Sequence, residues 1–159
     1  MRKHLRADVP VGLFLSGGLD SSALMYFVNK YQHHTHTFCA RFKEKTFDEG
    51  EYATYVSKYF ATIHHEVFIE AENCKNRLKE IVRYLDNPIG EPSVIPTYLL
   101  ADYAKRYVKV AISGEGADEL MGGYLTYKAD VFMRYYKMLP YSVKKTLFFT
   151  ADKLFTKDG

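Results

Sequence analysis

The sequence predicts an α/β domain built on a doubly wound parallel sheet, with further helices at its C-terminal end. Three observations predict it. Four short apolar runs rich in β-forming residues, Val9–Leu15, Thr35–Phe42, Ile63–Ile69 and Val108–Ile112, are separated by segments of helical period. Strands alternating with helices make βαβ crossovers, and crossovers join parallel strands. The first run is apolar on both faces, as a central strand covered by helices must be. The first and fourth runs open directly into polar, glycine-rich loops, and ligands of such folds sit beyond the carboxyl ends of the strands, where strand order reverses.

Helical period places Ala23, Leu24, Phe27, Val28 and Tyr31 on one face of Ser21–Tyr31. Asp48–Phe60 gathers Tyr52, Tyr55, Val56, Tyr59 and Phe60, and Cys74–Leu85 turns Leu78, Ile81, Val82 and Leu85 inward. Ser93–Tyr107 offers Leu99, Leu100, Tyr103, Ala104 and Tyr107, with Ser93 as its cap and Pro96 in its first turn, where a missing N–H costs little. Beyond Tyr124 the alternation ends. Tyr127–Met138 and Tyr141–Phe155 read as helices with no following strand, and the second carries an apolar side suited to packing on another helix. The expected organisation is a nucleotide-binding domain over residues 1–126 and a helical extension over 127–159.

Composition narrows the function. The net charge of +3 is too mild for a nucleic-acid surface, and no dense Lys/Arg stripe supports one. No stretch approaches the roughly 20 apolar residues that cross a bilayer, and the basic N-terminus leads into Asp8 and Pro10 rather than an apolar secretory core. A cytoplasmic protein with no membrane and no nucleic-acid partner is expected. Cys39 and Cys74 form neither a disulfide framework nor a zinc spacing and are expected to be reduced and structural. His33, His34, His36, His64 and His65 fit no standard metal site and read as surface or core residues.

Chemistry concentrates in the two loops. After Leu15 comes Ser16-Gly17-Gly18-Leu19-Asp20-Ser21-Ser22, with a helix starting inside it. Two glycines let a ligand approach backbone N–H groups, and those groups with the helix start make a cradle for phosphate. Ser16, Ser21 and Ser22 add hydroxyls. Asp20 is an anion beside an anion, which makes sense if Mg²⁺ lies between them. No lysine follows the glycines, so this is not a Walker loop. The fourth run opens into Ser113-Gly114-Glu115-Gly116-Ala117-Asp118-Glu119-Leu120-Met121-Gly122-Gly123-Tyr124. If the first and fourth strands flank the reversal point, Asp20 and Asp118 face one crevice and can share the metal.

SGGLDSS resembles the signature of the ATP pyrophosphatase family, whose PP-loop grips the β- and γ-phosphates that leave together. On its own it leaves open synthetases of NAD, GMP, argininosuccinate and asparagine, and tRNA-thiolating enzymes. With SGEGADELMGGY, Phe47-Asp48-Glu49, His64-His65-Glu66 and Glu91 to Leu99 (EPSVIPTYL), the chain is similar to the synthetase domain of asparagine synthetases over roughly residues 5 to 130. β-Lactam synthetase and other amide-forming adenylating enzymes share that architecture.

The resemblance implies an adenine nucleotide α-hydrolase-like fold and ATP with Mg²⁺ as cofactors. It implies that Ser16, Gly17, Gly18, Asp20 and Ser21 bind pyrophosphate, that Asp20 and Asp118 bind the metal, and that Phe14, Ala40, Ser113 and Gly114 line the nucleoside and α-phosphate. Aspartate would be adenylated on its β-carboxylate and attacked by ammonia, with Glu115 taking the departing proton, as a nearby carboxylate can.

The chain also departs from the family. The glutaminase domain of the glutamine-using enzymes and a late phosphate-binding lysine have no counterpart in it. The chain is therefore expected to be a fragment that binds Mg·ATP weakly and makes little product alone, with a glutaminase domain or subunit on another chain as a possible partner. A non-catalytic nucleotide-binding fragment or scaffold subunit is the other expectation, beside an amide-forming adenylating enzyme of the β-lactam-synthetase kind. Arg41 stands where the family usually has a small residue, and is expected either to crowd the adenosine or to point to solvent.

Overall fold

The structure is a computed structural model and describes residues 1–46, 48–87, 90–141 and 143–145. It divides into two compact units, Met1–Gly114 and Glu115–Gly159.

The first unit runs β1 (Val11–Phe14), α1 (Leu19–Asn29), β2 (His36–Phe42), α2 (Gly50–Tyr59), β3 (Ile63–Ile69), α3 (Ala71–Tyr84), α4 (Val94–Ala104) and β4 (Val110–Ile112). The four strands form one parallel sheet in the order β3-β2-β1-β4. Strand order therefore reverses at β1. The chain steps outward through β2 to β3, then returns across the sheet to place β4 beside β1, with Leu13 opposite Ile112. The doubly wound expectation is met.

Pleating explains the two-sided core, because successive side chains of a strand point to opposite faces. Leu13, Leu15 and Cys39 face one way and pack with Met25 and Val28 of α1 and Ala53 of α2. Phe14, Phe38 and Ala40 face the other way and pack with Leu100, Tyr103 and Ala104 of α4 and with Val108. Leu13, Met25 and Phe38 are fully buried, and each such side chain contributes roughly 1.5–3 kcal/mol. Buried polar groups are mostly paired: Thr37 Oγ1 lies 2.8 Å from Thr62 Oγ1 and 2.9 Å from His64 Nδ1. His64 Nε2 is buried with no partner among the described residues.

Three strands, β1, β2 and β4, start later than the expected runs. β1 starts at Val11, since Val9 is exposed and Pro10 has no N–H to give a ladder. The Pro10 carbonyl instead accepts the Lys109 N–H at 3.2 Å, just ahead of β4. β3 keeps the bounds expected of it.

Three helix faces need correction. In α2 the side toward the sheet is Gly50, Ala53 and Ser57, while Tyr52, Tyr55 and Tyr59 are 69%, 72% and 74% exposed. Small residues at that spacing bring the helix backbone close to its neighbours, which the larger tyrosines could not do. In α1 the buried residues are Ser21, Met25 and Val28, and Phe27 and Tyr31 lie outside. In α3 only Ile81 is buried, and Leu78 and Val82 are exposed. Ser93 precedes α4 but makes no side-chain capping bond.

The second unit holds α5 (Ala117–Met121) and α6 (Leu125–Met138). α5 lies where the sequence predicts a loop; it is a short helix bounded by Gly116 and Gly122, both with positive φ. Of the helix expected over 141–155, the described residues 141 and 143–145 are helical and the rest lies outside the described residues, as does Phe47. No helix among the described residues is long and apolar enough to cross a membrane.

Candidate functional site

The loop after β1 is organised by its own serines. Ser16 Oγ and Ser21 Oγ are 3.0 Å apart. The Gly17 N–H donates to Ser21 Oγ at 3.1 Å, the Gly18 N–H donates to Ser16 Oγ at 3.2 Å, and Ser21 Oγ donates to the Gly18 carbonyl at 3.2 Å. The Ser22 N–H closes the first helical turn onto the same carbonyl at 3.0 Å. Gly17 has φ +84°, and Gly18 is extended and occupies the N-cap of α1 without a side-chain cap. The first-turn amides of an uncapped helix are the groups that take an anion.

Gly17 is also pressed against α2. A Cβ built there would lie 2.5 Å from the Tyr52 carbonyl carbon and closer still to the Ala53 nitrogen. The loop is thus held from within by two hydroxyls and from outside by the first turns of α2.

The carboxyl end of β4 lies beside this loop. A Cβ built on Gly114 would lie 3.6 Å from Asp20 Cβ and 3.7 Å from the Ser21 nitrogen, ordinary contact distances. Ser16, Gly17, Gly18, Asp20, Ser21 and Gly114 therefore come together, with Ser113 one residue before Gly114. Asp20 is half-buried, and no ion pair among the described residues engages it. A carboxylate at that spot, next to a phosphate-type cradle, has the donor chemistry that magnesium takes. Phe14 and Ala40 lie on adjacent strands on the α4 face, around Phe38, whose ring meets Phe14 edge-on at 6.5 Å.

Glu115 and Asp118 belong to the second unit. Glu115 is exposed ahead of α5. The Asp118 carboxylate lies over Gly123, where a Cβ would overlap it, and the Gly123 N–H donates to the Asp118 carbonyl at 3.0 Å. Tyr124 donates to Glu119 at 2.8 Å, and that bond holds the tyrosine pKa up.

One cluster beside the loop has no counterpart among the expected site residues. Arg41, at the carboxyl end of β2, donates from Nε to Asp48 Oδ1 at 2.9 Å and from Nη2 to Asp48 Oδ2 at 2.8 Å, and from Nη1 to Glu66 Oε1 at 2.6 Å. Its side chain is 19% exposed. It is a clamped ion, not a solvent-facing one, because two carboxylates already neutralise it. The Arg41 hydrogen bonds hold the Asp48 pKa down and raise that of Arg41. Burial pushes Glu66 up, but hydrogen bonds from Thr54 and Arg41 bring it below its ordinary value. The sequence signals were there, in Phe47-Asp48-Glu49 and His64-His65-Glu66, but nothing in their spacing paired them with Arg41.

Two of the histidines, His36 and His65, form a different cluster on the α4 face. His36 Nδ1 and His65 Nε2 are 2.9 Å apart, and the two rings stack with Phe38 while Tyr107 lies tilted against both.

Comparison with known proteins adds to this geometry. The family model described as Asparagine synthase matches residues 1–155. The chain is 38% identical over 148 residues to asparagine synthetase [glutamine-hydrolyzing] 1 of Bacillus subtilis, covering 93% of this chain and 23% of that protein. It is 33% identical over 136 residues to asparagine synthetase [glutamine-hydrolyzing] of Zea mays, covering 77% of this chain and 23% of that protein. The chain thus spans about a quarter of the length of these curated relatives. The solved NH3-dependent NAD synthetase from Campylobacter jejuni aligns with a TM-score of 0.49 at 20% identity, over 77% of this chain and 55% of that one.

Proposed function

Because the chain belongs to the asparagine synthase family, we propose that it carries the ATP-binding part of a cytoplasmic asparagine-forming ligase. The observation that carries this reading is the loop of Gly17 and Gly18, seated at the carboxyl end of β1 where strand order reverses, with Gly114 against Asp20.

In this reading the β- and γ-phosphates of ATP meet the loop residues Ser16 to Ser21, displacing the internal serine bonds of the Gly17 and Gly18 amides. Phe14, Ala40, Ser113 and Gly114 border the nucleoside and α-phosphate. Asp20 and Asp118 would hold the magnesium, whose charge would offset that of the departing pyrophosphate. The β-carboxylate of aspartate attacks the α-phosphorus and the bond to pyrophosphate breaks, leaving β-aspartyl-AMP. Ammonia then attacks the acyl carbon and AMP leaves. Glu115 accepts the proton that the new amide nitrogen sheds. The relatives are named as glutamine-hydrolyzing, so a glutaminase domain or subunit is the proposed source of the ammonia.

Calorimetric titration of the purified chain with Mg·ATP, beside Asp20→Ala, tests the reading. Binding that Asp20→Ala weakens at least tenfold is expected. A cooperatively folded chain that takes up no nucleotide overturns it and favours a non-catalytic scaffold.

A further inference from the structure

The loop after β1 holds its shape partly through contacts that do not belong to it. Gly17 is seated on the backbone of Tyr52 and Ala53, so the loop can be no better placed than the first turns of α2. What places those turns is therefore a question about the nucleotide site.

Three observations answer it. Asp48, two residues ahead of α2, accepts the Gly50 N–H at 3.4 Å and the Phe42 N–H at 3.3 Å, tying the helix start to the end of β2. Arg41 grips that carboxylate from both sides with Nε and Nη2, a two-point geometry that fixes orientation as well as distance. Its third arm reaches Glu66 of β3, and Glu66 also accepts Thr54 Oγ1 of α2 at 2.9 Å. One guanidinium thus joins β2, β3 and the first turns of α2. Gly50 leaves the room for it, since a Cβ there would overlap Arg41 Nε and Cδ.

We propose that Arg41 is a positioning residue for the nucleotide loop: through Asp48 and Glu66 it fixes the start of α2, and α2 in turn holds Gly17 in place. This role rests on the nucleotide reading above for its purpose, but its mechanical content can be measured without nucleotide. Among the described residues Arg41 makes no hydrogen bond or ion pair with the loop, and it is not a catalytic group. Its effect passes through the helix backbone alone.

The test is amide exchange by NMR on the full chain, with Mg·ATP titration in parallel. Arg41→Met keeps the length of the side chain and removes its charge and donors. Asp48→Asn is the second variant, since it breaks the same pair with an isosteric group. Arg41→Lys restores the charge without the fork. In Arg41→Met and Asp48→Asn, exchange at Gly17 and Gly18 is expected to speed up about tenfold relative to core amides such as Leu13 and Val28, and Mg·ATP affinity to fall by about the same factor. Arg41→Lys is expected to recover part of both.

If Gly17 and Gly18 change only in step with the core amides, the clamp serves global stability alone and the proposal falls. If the loop amides respond while even the unsubstituted chain binds no nucleotide, Arg41 positions the loop as described and the nucleotide reading is what fails.

Discussion

Replacing Gly17 with alanine tests whether the loop is truly seated on α2. Gly17 has φ +84°, and an L-residue in that region costs roughly 1–2 kcal/mol. The new methyl would also press on the backbone at Tyr52 and Ala53, with the Tyr52 carbonyl carbon 2.5 Å away. Main chain cannot swing aside as a flexible side chain can, so a strain of about 1–3 kcal/mol is added, as for other overpacked sites. The sum, roughly 2–5 kcal/mol, is a large share of the about 5–15 kcal/mol that stabilises a typical domain. Gly116→Ala provides the internal control. Its φ is +86°, but no atom lies within 4 Å of the built Cβ, so only the backbone part of the penalty applies. Urea unfolding followed by far-UV circular dichroism suits a chain without tryptophan. Gly17→Ala is expected to lose clearly more stability than Gly116→Ala, and to weaken Mg·ATP binding where Gly17 is held. Equal losses for the two variants would refute the argument that α2 is a wall against the loop.

Other consequences follow from pH and thiol chemistry. Asp48 folds with its pKa below the ordinary 3.8 because of the Arg41 hydrogen bonds, so its stabilisation is complete above 3.8 and is lost as pH falls through the lower folded value. Asp48→Asn should therefore flatten the acid limb of a stability–pH curve, and an unchanged limb counts against the pairing. Burial lowers His64 and His65 below 6.5. The unfolded chain then takes up protons first, and stability should drop as pH falls from 6.5, visible as a lower thermal midpoint at pH 5.5 than at pH 7. A midpoint that holds steady over that interval would contradict the burial of these rings. Cys39 is buried, which pushes its thiol up to about 12, whereas Cys74 is half-buried. Iodoacetamide should modify Cys74 in the native chain and reach Cys39 only on unfolding; early labelling of Cys39 would mean that the α1 face of the core is open.

What the sequence made legible was whatever lay in consecutive residues. The four apolar runs became four strands, and the reversal of order at β1 follows from two loops of similar character at the ends of β1 and β4. The loop chemistry was legible for the same reason: Ser16 to Ser21 bond to one another within five positions. Helix faces were harder. Tyr52, Tyr55 and Tyr59 weigh heavily in an apolar pattern, yet the face that packs is Gly50, Ala53 and Ser57. A hydrophobic period cannot reveal a helix whose closeness to its neighbours depends on small residues. α5 was missed because five residues between two glycines are too few to display a period.

The Arg41 clamp was illegible for a deeper reason, and the reason bears on what the loop motif means. Its partners sit seven and 25 positions away, on a helix start and a neighbouring strand, so no local rule joins them. Gly50 did offer a clue. It is the first residue of α2, where the helix itself would accept a side chain, so a glycine there points to a close neighbour. Here the neighbour is the Arg41 side chain, and each charge-assisted bond that the space permits contributes about 1.5–3 kcal/mol. The same helix start carries the wall at Tyr52 and Ala53. The glycines of the loop thus let the chain take the shape proposed here for phosphate binding, and the Arg41–Asp48–Glu66 cluster, far from them in sequence, is proposed to keep α2 where that shape is the one the chain adopts.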